Sequence, residues 1–237
     1  MLLQTSHAVA HAPSFFLSLT LGAYASAVAL QKCGGRHPLL NPTLLAIIIV
    51  STTLLLLHAD YQVYFRAAQP IHALLGPAVV ALATPLYRHL PLIRERTAPL
   101  LLALVAGSLS AIVSSVGLGW CLGISGPELL SLAPRSATTA VSMTIAANIG
   151  GIPALTAILT IVTGISAAVT AGYVLDALRV RDAAARGFSM GLAGHGIATA
   201  RAFQEDQTTG TFAGVAMGLN AVATAVLTPI IIRLLMH

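Results

Sequence analysis

The sequence has 237 residues, of which 57% are hydrophobic and only 8% are charged, with a mean hydropathy of +0.88. Soluble domains carry about a quarter charged residues, so this composition argues against a water-soluble fold. The net charge of +5 arises from 12 Lys and Arg against 7 Asp and Glu. These basic residues stand singly or in short groups at segment ends, a topological pattern that lacks the basic stripe and stacking aromatics of a nucleic-acid binder.

A spanning helix needs roughly 20 apolar residues, which leaves no room for a separate soluble domain. The chain therefore reads as one all-α integral membrane domain, residues 1–237. His7 and His11 precede the first apolar run with no Lys or Arg, which does not fit a signal peptide with a basic leading region. The first apolar stretch, Ser14 to Leu30, ends in the turn Gln31-Lys32-Cys33-Gly34-Gly35-Arg36, and Asn41-Pro42-Thr43 has the cap and first-turn proline of a second helix running to about Leu57. Asp60, Tyr61, Tyr64, Phe65 and Arg66 follow as an interfacial stretch. A third segment, His72 to Tyr87, holds Gly76-Pro77 near its start and stops at Arg88, Arg94, Glu95 and Arg96; apolar sequence resumes from Ala98 to Leu122.

The region from Gly126 to Pro153 has a different character. Gly126-Pro127 opens a short helix, Pro134-Arg135-Ser136 interrupts it, and Gly150-Gly151-Ile152-Pro153 breaks the chain again. A long apolar run, Ala154 to Leu178, ends in Arg179, Arg181 and Arg186. The short, small-residue-rich stretch Gly187 to Ala202 contains His195, and Thr211 to Leu235 is the last span. Cys33 and Cys121 have no metal or redox spacing and read as apolar fillers.

Short loops rich in Lys and Arg stay in the cytoplasm. Three loops qualify: Lys32 with Arg36, Arg88 to Arg96, and Arg179 to Arg186. Three segments lie between the second and third loops, so one of them does not cross. The broken 126–153 region is the natural re-entrant hairpin, since unwound backbone at membrane depth needs protein or a water-filled cavity around it. This predicts about seven transmembrane helices plus a re-entrant or broken-helix segment, an external N-terminus and a cytoplasmic C-terminus. The runs 75–81 and 132–138 share a Gly/Pro-interrupted pattern and are compatible with an inverted repeat, which in transporters points to the binding site; two simple proline kinks explain the same residues.

The residues that could carry chemistry begin with Pro134-Arg135-Ser136-Ala137-Thr138-Thr139. A proline and an arginine followed by hydroxyl residues would open a half-helix whose free N–H groups attract an anion, with Arg135 offering a fork of donors to a carboxylate and Ser136, Thr138 and Thr139 adding hydrogen bonds. The other reading puts Arg135 at the interface, snorkelling to water. His195 lies between Gly194 and Gly196 and either faces a cavity as a proton-handling group or bonds a neighbouring backbone carbonyl; Thr199 is one turn further on its face. Asn148 and Asn220 are the other polar residues at depth. Asp176 is expected to pair with Arg179 or Arg181, and Arg201 with Glu205 and Asp206. Hydrolytic motifs are lacking: Ser189 precedes His195 with no GxSxG or HExxH, so no enzyme, metal or cofactor is expected. Gly214 and Gly218 form a small-xxx-small face that suits close helix packing, within the chain or in a homo-oligomer.

Leu39-Leu40-Asn41-Pro42, the run Gly76-Pro77-Ala78-Val79-Val80-Ala81-Leu82-Ala83, Pro134-Arg135-Ser136 with Thr138-Thr139, Gly150-Gly151-Ile152-Pro153, and Ala184 to Arg186-Gly187 through His195 to Thr199-Ala200-Arg201-Ala202 together resemble the LrgB/CidB family. That family is also seen as the C-terminal half of the plastidic glycolate/glycerate translocator. The resemblance covers nearly the whole chain and implies a bacterial inner-membrane protein, surrounded by lipid and encoded beside a small holin-like partner of the LrgA/CidA type. It implies either transport of small monocarboxylates such as pyruvate, glycolate or lactate, or control of murein hydrolase activity and autolysis without transport. The chain departs from the family pattern at Gly194, where a serine is usual, at Ala198 for glycine and at Ala140 for proline.

Overall fold

Helices account for all the regular structure among the described residues of the computed structural model, which are 13–35, 40–74, 77, 80–81 and 83–236. The chain separates into two compact units, Met1–Ala83 and Thr84–His237. The first holds α1 (Pro13–Cys33), α2 (Pro42–Leu56), α3 (Tyr61–Ala67) and α4 (Gln69–Ala73). The cap at Asn41 forms as the sequence predicts: its Oδ1 accepts from the amides of Thr43 at 2.9 Å and Leu44 at 3.2 Å, ahead of Pro42. Phe16 is fully buried and meets the Tyr64 ring edge-on, 5.9 Å between centroids. Asp60 caps α3 through the Gln62 amide.

The second unit comprises α5 (Ala83–Arg88), α6 (Leu90–Glu95), α7 (Thr97–Cys121), α8 (Gly126–Leu132), α9 (Thr139–Ile149), α10 (Pro153–Ala177), α11 (Ala183–Glu205) and α12 (Gln207–Met236). Among the described residues four helices are long and apolar enough to cross a membrane, α1, α7, α10 and α12; α2 and α9 are shorter apolar helices. About seven transmembrane helices are thus not confirmed among the described residues. The predicted span from His72 to Tyr87 falls partly outside the described residues, as does Gly76, while Pro77 is helical and exposed.

The long helices expose apolar side chains and bury a mixed stripe of apolar, small and hydroxyl residues. On α7 the buried stripe is Leu104, Ser108, Ile112, Ser115 and Gly119, whereas Leu102, Val105, Leu118 and Trp120 are exposed. On α10 it is Thr156, Thr160, Gly164 and Ala168 at a strict four-residue spacing. Serine and threonine on the inner face of a span bond one another or the backbone of a neighbour, as Ser115 and Thr156 do; the buried Thr160 hydroxyl makes no hydrogen bond.

Two helical hairpins intervene between these long helices. Hairpin 1 is α8, the turn 133–138, and α9. The end of α7 and the start of α10 both meet the C-terminal part of α8: the Ile152 amide donates to Ser131 Oγ at 2.7 Å and Thr156 Oγ1 donates to the Ser131 carbonyl at 3.1 Å, while Gly119 near the end of α7 packs on Leu129 and Leu132. The chain therefore enters from the end of α7 and leaves into the start of α10 on the same side. Gly150 closes α9 in the left-handed conformation, φ 86°, which glycine adopts without a Cβ clash.

Hairpin 2 is α11 itself. The sequence predicts a crossing from Gly187 to Ala202, but the backbone leaves helical geometry at Gly194 (φ −132°, ψ 19°) and His195 (φ 41°, ψ −135°). Arg186 near one end then bonds Glu205 at the other, both Nε and Nη2 lying 3.3 Å from Glu205 Oε2. A straight helix would separate residues 19 positions apart by about 28 Å. The segment folds back on itself, and Met190 packs with Ala198 and Ala202 across the two limbs. Arg186 also bonds Asp176 at 2.6 Å and the Val180 carbonyl at 3.0 Å, so Asp176 pairs with Arg186 and not with Arg179 or Arg181. Glu205 is thereby occupied; Arg201 bonds Gln204 at 3.1 Å, and Asp206 caps α12 through Thr209.

Hairpin 2 enters from the side opposite to hairpin 1. Arg96 ahead of α7 bonds Asp182 ahead of α11 at 2.8 Å, which puts those two ends together. Each hairpin is followed by a long helix, hairpin 1 by α10 and hairpin 2 by α12, and the two pairs run in opposite senses. Of the run 75–81, matched in the sequence with 132–138, residues 75–76 and 78–79 lie outside the described residues. Close packing of hairpin 2 on α12 depends on Gly187 and Gly191: a Cβ on either would sit 2.0 Å from a backbone carbonyl oxygen, of Thr209 or Ala213. Gly218, expected with Gly214 to suit close packing within the chain or in a homo-oligomer, faces open space.

Candidate functional site

The tips of the two hairpins meet near the middle of the long helices, and one side chain joins them. Asn220, in mid-α12 and 1% exposed, donates from Nδ2 to the Ser136 carbonyl at 2.9 Å and to the Leu192 carbonyl at 3.2 Å. Its Oδ1 accepts from Ser108 Oγ of α7 at 2.7 Å and from Thr224 Oγ1 at 3.3 Å. Both carbonyls lie where a helix is interrupted, so the amide supplies hydrogen bonds that regular helix would have made. The full capacity of Asn220 is used in holding the tips.

Arg135 stands on the tip of hairpin 1. Its Nε donates to Ser115 Oγ, its Nη1 to Thr163 Oγ1 at 3.1 Å, and Ser115 in turn donates to the Leu132 carbonyl at 2.9 Å. Thr163 lies ten residues into α10, about 15 Å of helix rise, so the guanidinium reaches inward and not to the interface. The ion pairs among the described residues are Arg96 with Asp182 and Arg186 with Asp176 and Glu205; Arg135 has a carboxylate partner in none of them. It lines a cleft of about 410 Å³ with Ala111, Ser136, Thr163, Ser166 and Thr170. Ser136, 4% exposed, has a hydroxyl that makes no hydrogen bond.

Around this centre Pro134 is fully buried, and its carbonyl accepts from Ser142 Oγ at 2.6 Å. Thr138 is the N-cap of α9 but makes no side-chain cap, and Thr139 opens the helix. The first-turn amides of α9 are thus left without a side-chain acceptor. Asn148 lies away from Arg135: it is exposed and lines a second cavity of about 370 Å³ with Ala140, Val141, Thr144, Ile145, Ala225 and Pro229. Gly151 packs on Ser131, where a Cβ would come within 3.1 Å of the Ser131 amide nitrogen, and its own amide donates to the Ala146 carbonyl at 2.8 Å.

His195 occupies the tip of hairpin 2, 5% exposed, and Nε2–H donates to the Thr160 carbonyl at 2.9 Å. The bond to a backbone carbonyl that the sequence allows is present. Gly164 makes room for the ring; a Cβ there would lie 2.5 Å from Cε1. Thr199 Oγ1 donates to the His195 carbonyl at 2.7 Å. The hairpin-2 tip is therefore pinned against α10, behind the cleft wall formed by Ala167 and Ala193.

Ser115, Thr160, Thr163, Ser166 and Ser108 are not singled out by the sequence reading. Their signal is the recurrence of small hydroxyl residues at helical spacing inside apolar runs, Thr156, Thr160, Thr163 and Thr170 on α10.

A chain-wide match to the LrgB-like family model spans residues 20–234. The chain belongs to the LrgB-like family. Among its relatives, the protein named YxaC of Bacillus subtilis is 34% identical over 218 residues, covering 91% of this chain and 94% of the relative. The "holin-like protein CidB" of Staphylococcus epidermidis is 31% identical, covering 84% and 87%, and that of Staphylococcus aureus is 30% identical, covering 84% and 86%. No solved structure matches the chain. The family assignment and the four long apolar helices together make this a multi-pass membrane protein.

Proposed function

We propose that this LrgB-like protein carries a small monocarboxylate across the bacterial inner membrane, with the carboxylate held at the tip of hairpin 1. The observation that carries the reading is Arg135: a half-buried guanidinium at mid-helix depth, bonded only to hydroxyls, facing a cleft beside an unpartnered Ser136 hydroxyl. Charges inside a membrane are costly and are kept where they act, and a guanidinium without a protein carboxylate has its donor fork available to a carboxylate from outside. Pyruvate, glycolate and lactate are the acids to test. The role assigned to His195 is positioning; the pin to Thr160 supports that over proton coupling.

The topology that goes with this reading has two re-entrant hairpins, one from each side. With the three basic loops in the cytoplasm, the N-terminus is external. Because hairpin 2 returns to the cytoplasmic side, α12 then ends outside, which replaces the cytoplasmic C-terminus predicted from the sequence. Lipid covers the exposed apolar faces of α7 and α10.

The test is uptake of labelled pyruvate, glycolate and lactate into proteoliposomes, with and without an inward proton gradient. Saturable uptake that Arg135→Ala abolishes, with the protein still in the membrane, is the expected result. Uptake retained in Arg135→Ala, or no uptake of any of the three, overturns the carrier assignment.

The names of the relatives favour a second reading more directly than they favour any substrate: several are called holin-like. On that reading the chain regulates murein hydrolase activity and autolysis together with a small holin-like membrane partner, and transports nothing. A lysis phenotype that survives Arg135→Ala and disappears when the partner is deleted would select it.

A further inference from the structure

Two cavities in the second unit lie on opposite sides of the hairpin-1 tip. The cleft at Arg135 extends along α10 through Thr163, Ser166 and Thr170, towards the base of hairpin 2. The second cavity extends along α9 from Ala140 through Thr144 to Asn148, and along α12 through Ala225 to Pro229, towards the base of hairpin 1. The residues between them are Ser136 to Thr139, and Asn220 fixes that barrier by its bond to the Ser136 carbonyl.

We infer that these cavities are two water-filled half-channels closed from each other by the tip of hairpin 1, and that a small carboxylate held at Arg135 enters or leaves on the far side through the vestibule of Thr144 and Asn148. The inference rests on the carrier reading for the identity of the passenger. Polarity supports the vestibules themselves. Asn148 and Ser166 are exposed and their side chains make no hydrogen bond, and Ser166 sits near the middle of α10. An exposed, unpaired hydroxyl at that depth is compatible with water and costly against lipid; Asn148 stands one residue before the end of α9. Both volumes, about 370 and 410 Å³, fall in the range of roughly 300–1,000 Å³ usual for small-molecule sites. At the inner end of the second vestibule stands the start of α9, with Ala140 and Val141 in the wall.

The experiment is sided thiol labelling of the full-length protein in membrane vesicles, with Cys33 and Cys121 replaced by serine. A charged, membrane-impermeant maleimide is applied to right-side-out and to inside-out vesicles carrying Thr144→Cys or Thr170→Cys; Asn148→Cys and Ser166→Cys form a second pair in case either first variant fails to reach the membrane. Labelling of 144 and 148 from the outside only, and of 166 and 170 from the cytoplasmic side only, is expected. Labelling of both groups from one side, or loss of labelling from both sides at either group, overturns the two-vestibule arrangement. The readout needs no substrate. Opposite-sided labelling with no uptake in proteoliposomes would therefore reject the carrier reading and leave the two vestibules standing, whereas uptake with same-sided labelling would reject only the vestibules.

Discussion

The two hairpins share a plan and differ in their tips. Hairpin 1 turns over six residues, 133–138, between separate helices, and presents a charge and an unpartnered hydroxyl to a cleft. Hairpin 2 turns at Gly194 and His195 alone, and its tip is buried, pinned to α10 by His195 and seated in the space left by Gly164. Its base is closed by Arg186, with bonds to Asp176, Val180 and Glu205. Two hairpins of one plan thus differ in what their tips leave open: the tight tip is held against α10, and the wide one leaves Arg135 and the Ser136 hydroxyl facing a cleft.

Breaking the link between the tips should have the largest effect. Asn220→Leu leaves the Ser136 and Leu192 carbonyls and the Ser108 hydroxyl without partners, at about 1–3 kcal/mol for each group left unpaired in a buried site. A large drop in the thermal midpoint of the detergent-solubilised protein is expected; a midpoint within experimental error of wild type would show that the tips do not depend on this residue. Next comes the packing of hairpin 2 on α12. Gly191→Ala drives a Cβ to 2.0 Å from the Ala213 carbonyl oxygen, and overpacking of this kind costs typically about 1–3 kcal/mol. Gly196→Ala on the other limb is the control, since its Cβ would meet only Met217 Sδ at 3.8 Å. Equal thermal stability of the two variants would contradict the packing described.

A finer comparison lies at the hairpin-2 tip itself. His195 has φ 41°, which costs a residue with a Cβ on the order of 1–3 kcal/mol, while its side-chain bond to Thr160 returns about 0.5–1.5 kcal/mol. His195→Ala keeps the strain and loses the bond; His195→Gly loses both. His195→Gly should therefore be more stable than His195→Ala by about 1 kcal/mol, measured by thermal midpoint. The reverse order would mean that the tip does not need the left-handed conformation.

The contrast between the hairpins also sets what the sequence discloses. Hairpin 1 is legible because Pro134 and the Gly150-Gly151 pair interrupt an apolar run, and the sign of the basic loops demands a segment that does not cross. Hairpin 2 is not, because its reversal occupies one residue pair inside a small-residue run with no proline, and a four-residue glycine spacing at Gly187 and Gly191 suits a straight helix as well as a folded one. The feature that decides the matter, Arg186 against Glu205, is a contact across 19 positions that no local pattern encodes. In the candidate site the residues with distinctive side chains, Arg135 and Ser136, are readable from their setting. Asn220 is readable as polar at depth, but its acceptors are backbone carbonyls, and these acquire meaning only once both breaks are folded. Ser115 and Thr163 look like ordinary helix serines and threonines until Arg135 reaches them.

The smallest expected effect concerns the end where hairpin 2 enters. The hydrogen bond from Arg96, followed by the amide of Ala185, holds the Asp182 carboxyl below its usual range. A depressed carboxylate contributes stability above its unfolded value, near 3.9, and the contribution is lost as pH falls through the lower folded value. The pair is nearly half exposed on both sides, with 40% and 48% of the side-chain surfaces open, so its worth is that of a surface ion pair, about 0–1 kcal/mol. Asp182→Asn should consequently lower the midpoint slightly at neutral pH and flatten its dependence on acid, with Arg186→Gln at the same end costing more because three groups lose a shared partner. If Asp182→Asn instead proved the costlier of the two, the closure of hairpin 2 would lie in the link between α7 and α11 and not in the clamp at Arg186.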